Sequence, residues 1–427
     1  MAPAPLGGAL EALRHRNFRL LWIGQLVSTA GSLMQNAVVL WHVTLLVKDP
    51  ADKPIALGLV GLFKFLSILG CALFSGVIAD AFDRRKLMML TTSLLTLIAG
   101  ALAWVTFEGL SELWPIYVLT SLTSAVGTFD GTARQALIPK LVPGHMLPNA
   151  IALNTILFQL ASVVGPALAG PTMASLGLGY VYLFNALSFL VVLIALARMR
   201  GVSASAGEKR PALRFSAALE GLRFVFGSPL IRSSMLLDFF ATFFSSAMAL
   251  LPIFAQDILF LDERGYGLLV AAPAVGALVT SAILAPMATH IVRRGPILLL
   301  AVLLYGLATI GFGFSTHFWL TYACLAITGA ADTVSIVLRN LIRQLHTPDE
   351  MRGRMIAVNM VFFMGGPQLG ELEAGLVADR FGAVFSVVSG GLLCMLSTAW
   401  IAWREPQLRN YRKDPREGQP ASPAGTS

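Results

Sequence analysis

The chain has 427 residues, 56% hydrophobic and only 13% charged, with a formal net charge of +8. A soluble protein of that balance would expose more apolar surface than water tolerates, so lipid must cover most of it. The basic residues are dispersed among loops with no basic domain to hold a duplex, which excludes nucleic acid as a partner.

Twelve hydrophobic stretches follow one another, each near the twenty or so residues that cross about 30 Å of hydrocarbon. They fall at about 18–47, 55–79, 87–107, 113–139, 148–175, 179–197, 231–255, 267–290, 297–314, 318–345, 355–378 and 383–403. Arg14, Arg16 and Arg19 precede the first. It is longer than a signal-peptide core and is expected to stay in the mature protein. Loops at Arg84, Arg85 and Lys86, at Lys140, at 198–232, at Arg293 and Arg294, and at 343–354 are basic, as is the tail; the alternate loops hold only Lys48, Lys53, Arg264 and Arg380. That asymmetry predicts cytoplasmic termini.

The expected organisation is a cytoplasmic N-terminus (1–17), a six-helix bundle (18–197), a cytoplasmic linker (198–230), a second six-helix bundle (231–403) and a disordered cytoplasmic tail (404–427). The linker ends in a predicted interfacial helix with Phe215, Leu219, Leu222 and Phe226 at helical spacing. The halves repeat one another. Arg134, Pro143, Met146, Ile151, Ala152 and Asn154 recur at a constant offset as Arg339, Pro348, Met351, Ile356, Ala357 and Asn359. Duplicated halves are a common architecture of secondary transporters, with the substrate site between them near mid-membrane.

Polar residues inside the spans are candidates for that site. In span one, Gln25, Ser28, Thr29, Ser32, Gln35 and Asn36 share one helix face; in span seven, Asp238, Thr242, Ser245 and Ser246 do the same. Each stripe reads either as cavity lining or as hydrogen bonding between packed helices. Charges inside spans are costly unless paired or hydrated, which singles out Lys64, Asp238, Asp332, Arg339, Glu371 and Glu373. The carboxylates Asp238, Asp332, Glu371 and Glu373 are rival proton carriers, and the sequence does not choose among them. Lys64 and the pair Glu371 and Glu373 lie at similar depth, so an ion pair between halves is expected to form when the outer side closes. Snorkelling of Lys64 is the alternative.

Cys71, Cys324 and Cys394 lie in apolar runs without paired spacing, and the six histidines are scattered over loops and span ends, so no metal site, cofactor or catalytic cluster is expected. No phosphate-cradling Gly-rich Lys-Ser/Thr pattern accompanies the spans.

The loop from Gly76 through Asp80, Asp83, Arg84 and Arg85 to Lys86, and the segment from Gly127 through Asp130 and Arg134 to Pro139, resemble the major facilitator superfamily, in its drug and siderophore exporter branch of enterobactin-exporter-like and macrolide-efflux-like proteins. The likeness covers nearly the whole membrane region. It implies an all-α membrane protein of twelve transmembrane helices in two pseudo-symmetric six-helix bundles, with spans two and eleven facing each other. It also implies a gating charge relay of Asp80, Arg84 and Asp130, to which the repeated Arg134 and Arg339 are added. The basic residue usual after the loop Asp is replaced here by Ala81, and the second-half loop is degraded to 289–294. Gly165, Pro166 and Gly170 in span five resemble an antiporter-associated motif, and Gly and Pro there permit close approach and a bend.

The expected function is export of a small amphipathic organic molecule by proton antiport with alternating access, in a monomer of the bacterial inner membrane whose partners are substrate, protons and lipid. Proton-coupled uptake or lipid flipping on the same scaffold is the alternative. A receptor that does not transport would leave the intramembrane charges without purpose.

Overall fold

The computed structural model describes residues 11–200, 215–287 and 291–413, apart from the side chains of some residues within those ranges, Asp80 among them. Twelve long helices run through it. They are α1 (Arg16–Leu46), α2 (Lys53–Ala81), α3 (Arg84–Phe107), α4 (Trp114–Leu137), α5 (Leu147–Leu176), α6 (Leu178–Arg198), α7 (Pro229–Phe244), α8 (Glu263–Met287), α9 (Arg294–Phe314), α10 (Phe318–His346), α11 (Asp349–Phe381) and α12 (Ala383–Arg404). In lipid every backbone polar group must be satisfied internally, and an α-helix does so within its own segment. Among the described residues, nine stretches are long and apolar enough to cross a membrane. α1, α4 and α11 fall outside that group, because polar and charged residues lower their hydropathy.

Helix α7 is shorter than the apolar run that encodes it. The helix stops at Ser245, and the chain continues through a 3₁₀ turn (Ala247–Leu250) and a π-turn (Phe254–Ile258). Ser246 hydroxyl donates to the Pro367 carbonyl of α11 at 2.9 Å, so the break is tied down by a neighbour.

The internal repeat extends to glycines that keep the same interval. Gly177 and Gly382 both have φ near +90° and join α5 to α6 and α11 to α12, where a side chain would be strained. They lie 205 positions apart, the interval that separates Arg134 from Arg339. Gly165 on α5 abuts the Ala30 carbonyl of α1, and Gly370 on α11, also 205 residues on, abuts the Phe243 carbonyl of α7. Gly370 is therefore the counterpart of Gly165.

Two seams join the halves, and they too are related. At one, Gly170 of α5 meets Gly267 of α8; at the other, Gly375 of α11 meets Gly58 of α2. Both lie toward the membrane face opposite the one that carries the chain ends. Along that opposite face one apolar core draws residues from both halves, among them Trp41, Leu57, Tyr182, Phe254 and Phe312. Toward the terminal face the cores are separate, one built from the first half and another from the second. Polar links between halves sit at the sealed end: Tyr266 hydroxyl donates to the Ala37 carbonyl at 2.9 Å, Gln256 donates to Thr44 at 2.8 Å, and Lys53 pairs with Asp257 at 3.1 Å. Among the described residues the bundles thus share one core and these polar links toward the opposite face and keep separate cores toward the terminal face.

The linker helix (Phe215–Gly227) packs on α11, with Val225 buried among Ile231, Met235, Met355 and Val358 and with Arg354 paired to Glu220 at 2.7 Å. The polar stretch 201–211 lies outside the described residues. The tail differs from its reading as disordered from residue 404. Residues up to Lys413 fold back on α9: Gly295 N–H donates to the Tyr411 carbonyl at 3.0 Å and Lys413 N–H to that of Val292 at 2.8 Å. Glu405 pairs with Arg232 at the start of α7. Leu408 is fully buried in the second-half core, an apolar anchor that a compositional reading overlooks in a segment rich in Arg and Pro. Leu408→Ala is expected to destabilise the protein by about 2–5 kcal/mol, read by denaturant unfolding in detergent, and to expose the tail to protease.

Candidate functional site

Each half holds an arginine of the repeat against the first helix of its own bundle. In the second half, Arg339 of α10 is 1% exposed and its Nη1 lies 2.5 Å from Asp238 Oδ1 of α7. Its Nη2 lies 3.6 Å from Asp332 Oδ1, seven residues earlier on the same helix face. The Asp332 side chain is 39% accessible. In the first half, Arg134 of α4 donates to Gln25 Oε1 of α1 at 2.5 Å. Gln25 and Asp238 are 213 positions apart, the interval that also separates Ala30 from Phe243. They are therefore counterparts, and the symmetric device is neutral in one bundle and ionic in the other.

Asp130, one turn before Arg134, accepts hydrogen bonds from Thr91 at 2.9 Å and Thr92 at 3.2 Å, both on α3. It makes no ion pair among the described residues, neither with Arg84 nor with Arg134. The Asp80 side chain lies outside the described residues, and with it the relay expected among Asp80, Arg84 and Asp130. Asp83 caps α3 by accepting from the Lys86 N–H at 2.9 Å, and Arg85 donates to the carbonyls of Leu196 and Ala197 at the end of α6.

The polar stripe of α1 divides. Gln25 serves Arg134; Ser28 is buried; Gln35 accepts from Asn185 of α6 at 2.7 Å, a bond inside the bundle; Ser32 is half-buried and Asn36 exposed. On α7, Thr242 bonds back to the Asp238 carbonyl at 2.9 Å while packing near Gly366, and Ser245 is buried. Gly165 and Pro166 lie inside an uninterrupted α5, where Gly165 meets α1 and the Pro166 carbonyl faces Gly267.

Lys64 and Glu371 face each other from α2 and α11 closely enough for the lysine charge to act on the carboxyl, but they are not in ion-pair contact, and neither are Lys64 and Glu373. This corrects the expected latch. With the opposite face sealed, Glu371 turns into the space left by Gly61, so that a Cβ at that glycine would sit 2.9 Å from its Oε2.

Sequence reasoning passed over Arg343. It is 5% exposed and donates to the side chains of Asn340 and Asn359, one of the repeated asparagines. Its spacing of four from Arg339 places both on one helix face, which was a usable signal.

Two six-helix bundles related by a repeat, sharing one core at one end and holding a buried Arg339–Asp238 ion pair away from it, define a membrane transporter of the major facilitator type, not an enzyme. Residues 7–422 match the model of the transmembrane secretion effector family, and the chain belongs to that family. It is similar to the enterobactin exporters EntS of Salmonella choleraesuis (strain SC-B67), 28% identical over 96% of both chains, and of Citrobacter koseri, 26% identical over 94% of both. Among solved structures, its fold matches a bacterial homologue of the lysosomal transporter Spinster in an inward-facing, unoccupied conformation, with a TM-score of 0.72, 12% identity and coverage of 93% of this chain and 99% of that one. It also matches an inward-facing bacterial homologue of the iron transporter ferroportin, with a TM-score of 0.64, 20% identity and coverage of 91% and 98%.

Proposed function

We propose that this protein exports a small amphipathic organic compound across a bacterial inner membrane by proton antiport, alternating access between its two bundles, with both termini cytoplasmic. The observation that carries the reading is the difference between the two ends: one core spans both halves at the opposite face, and two separate cores flank an accessible Asp332 toward the terminal face. With basic loops on the terminal face, that side is the cytoplasm and this state is open inward. The similarity to enterobactin exporters supports the outward direction of transport and an organic cargo. The buried ionic cluster of Asp238, Arg339 and Asp332 supports coupling to a cation, since its pairing changes when a carboxylate gains a proton.

The test is accumulation in inverted vesicles under an imposed pH gradient, screened with catecholate siderophores, macrolides and lipophilic dyes. Substrate is expected to enter the vesicles only with an acidic lumen and to leak back when an uncoupler is added. Accumulation in right-side-out vesicles instead, driven by an acidic exterior, would identify an importer and overturn the direction.

A further inference from the structure

We propose that Glu371 carries the proton whose presence allows the opposite face to seal: the α2–α11 seam closes over a neutral Glu371 carboxyl and opens when that carboxyl ionises. The inference rests on the transport reading and assigns its coupling group.

The geometry begins with the two seams. The pseudo-symmetric partner of Glu371, 205 residues earlier, is Pro166. In the α5–α8 seam the Pro166 carbonyl lies 2.9 Å from where a Gly267 Cβ would be; in the α2–α11 seam the Glu371 carbonyl lies 3.3 Å from the corresponding point at Gly58. The backbones therefore meet alike, but one seam carries an apolar ring where the other carries a carboxyl. That carboxyl is accommodated by a gap: a Cβ on Gly61 would fall 2.6 Å from Glu371 Cβ and 2.7 Å from the Gln368 carbonyl. Glu371 as a whole is half-buried, but its Oε2 is buried there without a hydrogen-bond partner, and so is Gln368 Oε1 one turn earlier.

A carboxylate oxygen deprived of both water and donors is several kilocalories per mole less favourable than the neutral acid in the same place. Protonation also supplies a donor to a seam that is short of them. The surrounding charges do not remove the penalty. From α2, Lys64 stands near but out of ion-pair contact. From α7, Asp238 is held by Arg339 and Arg232 by Glu405; α12 brings Arg404 at its far end; the linker helix brings Glu220, paired to Arg354, and Arg223. On α11 itself, Glu373 is half-buried nearby.

The sign fits antiport. Loss of the proton toward the cytoplasmic cavity leaves a charge that the closed seam does not tolerate, so the opposite face opens. There Glu371 meets water and Lys64, regains a proton from the acidic side, and the seam closes again. One proton moves inward per cycle.

The experiment uses the full-length protein with its native cysteines replaced and a single reporter, Ala374→Cys, which lies in the sealed core at 4% exposure. Its rate of reaction with a charged maleimide is normalised at each pH to that of Phe260→Cys, which is 84% exposed. The normalised rate is expected to rise with pH, by at most about tenfold per pH unit for one proton. Glu371→Gln, neutral at every pH, is expected to stay protected and flat. Gly61→Ala, which fills the gap, is expected to raise the rate at every pH. A pH rise retained in Glu371→Gln overturns the proposal, as does a flat profile in the parent protein. No readout requires a substrate, so a failed vesicle assay leaves this result standing, and the reverse holds as well.

Discussion

Arg339→Ala is expected to destabilise the protein by about 3–5 kcal/mol and to abolish transport, because it strands Asp238 as a buried carboxylate. The arginine is 1% exposed and its ion pair at 2.5 Å is the partner that Asp238 has on α10. Asp332 has water to turn to; Asp238, 3% exposed, does not. Adding Asp238→Asn to Arg339→Ala is expected to recover most of the stability without recovering transport, since the charge is gone but so is the switch. Denaturant unfolding in detergent measures the cycle. A loss below about 1 kcal/mol in the single variant would mean that Asp238 is already neutral or otherwise paired. The first half supplies the contrast. Arg134→Ala removes a bond to a neutral amide, and its cost should be nearer about 1–3 kcal/mol.

Gly267→Leu is expected to hold the opposite face open. A Cβ there would lie 2.7 Å from Gly170 N and 2.9 Å from the Pro166 carbonyl, both backbone atoms that cannot swing aside. Overpacking of this kind costs about 1–3 kcal/mol, and every 1.4 kcal/mol shifts the balance of two states about tenfold. The penalty falls only on the state in which α5 and α8 touch, so it acts as a conformational bias. Met173→Cys on α5, 5% exposed in the sealed core, reports it. Its maleimide labelling should rise about tenfold or more in the Gly267→Leu background, and transport should fall by a similar factor. Unchanged labelling would show that the seam closes by another route.

Much of the architecture was legible in the chain because the membrane imposes it. Hydrocarbon demands helices of about twenty residues and segregates basic loops, and both effects are local in sequence. The repeat was legible where residues had been kept, as at Arg134 and Arg339. It was easy to pass over at Gly165 and Gly370, which keep the same interval, because glycine is frequent in membrane helices and one matching glycine carries little weight. Asp238, Arg339 and Asp332 were each marked by the cost of charge in a span. The nearness of Asp332 to Arg339 was readable from their seven-residue spacing on one helix face, whereas the pairing of Asp238 with Arg339 was not, because α7 and α10 come together only in the packed bundle. Gln35 and Gln25 looked equivalent on one stripe, and their division between Asn185 and Arg134 depends on which neighbour each meets.

Composition and spacing by themselves determined that this protein lives in lipid, that it is built from duplicated halves, and that a handful of ionisable groups sit where charge is expensive. Those conclusions follow from the sequence because hydrophobic burial and backbone satisfaction act residue by residue along a helix. Which end is sealed, and whether Glu371 meets Lys64 or the gap at Gly61, was decided by tertiary structure alone. The reason is physical: helices far apart in the chain approach most closely at glycines, and the positions of those contacts set the distances between the charges around them.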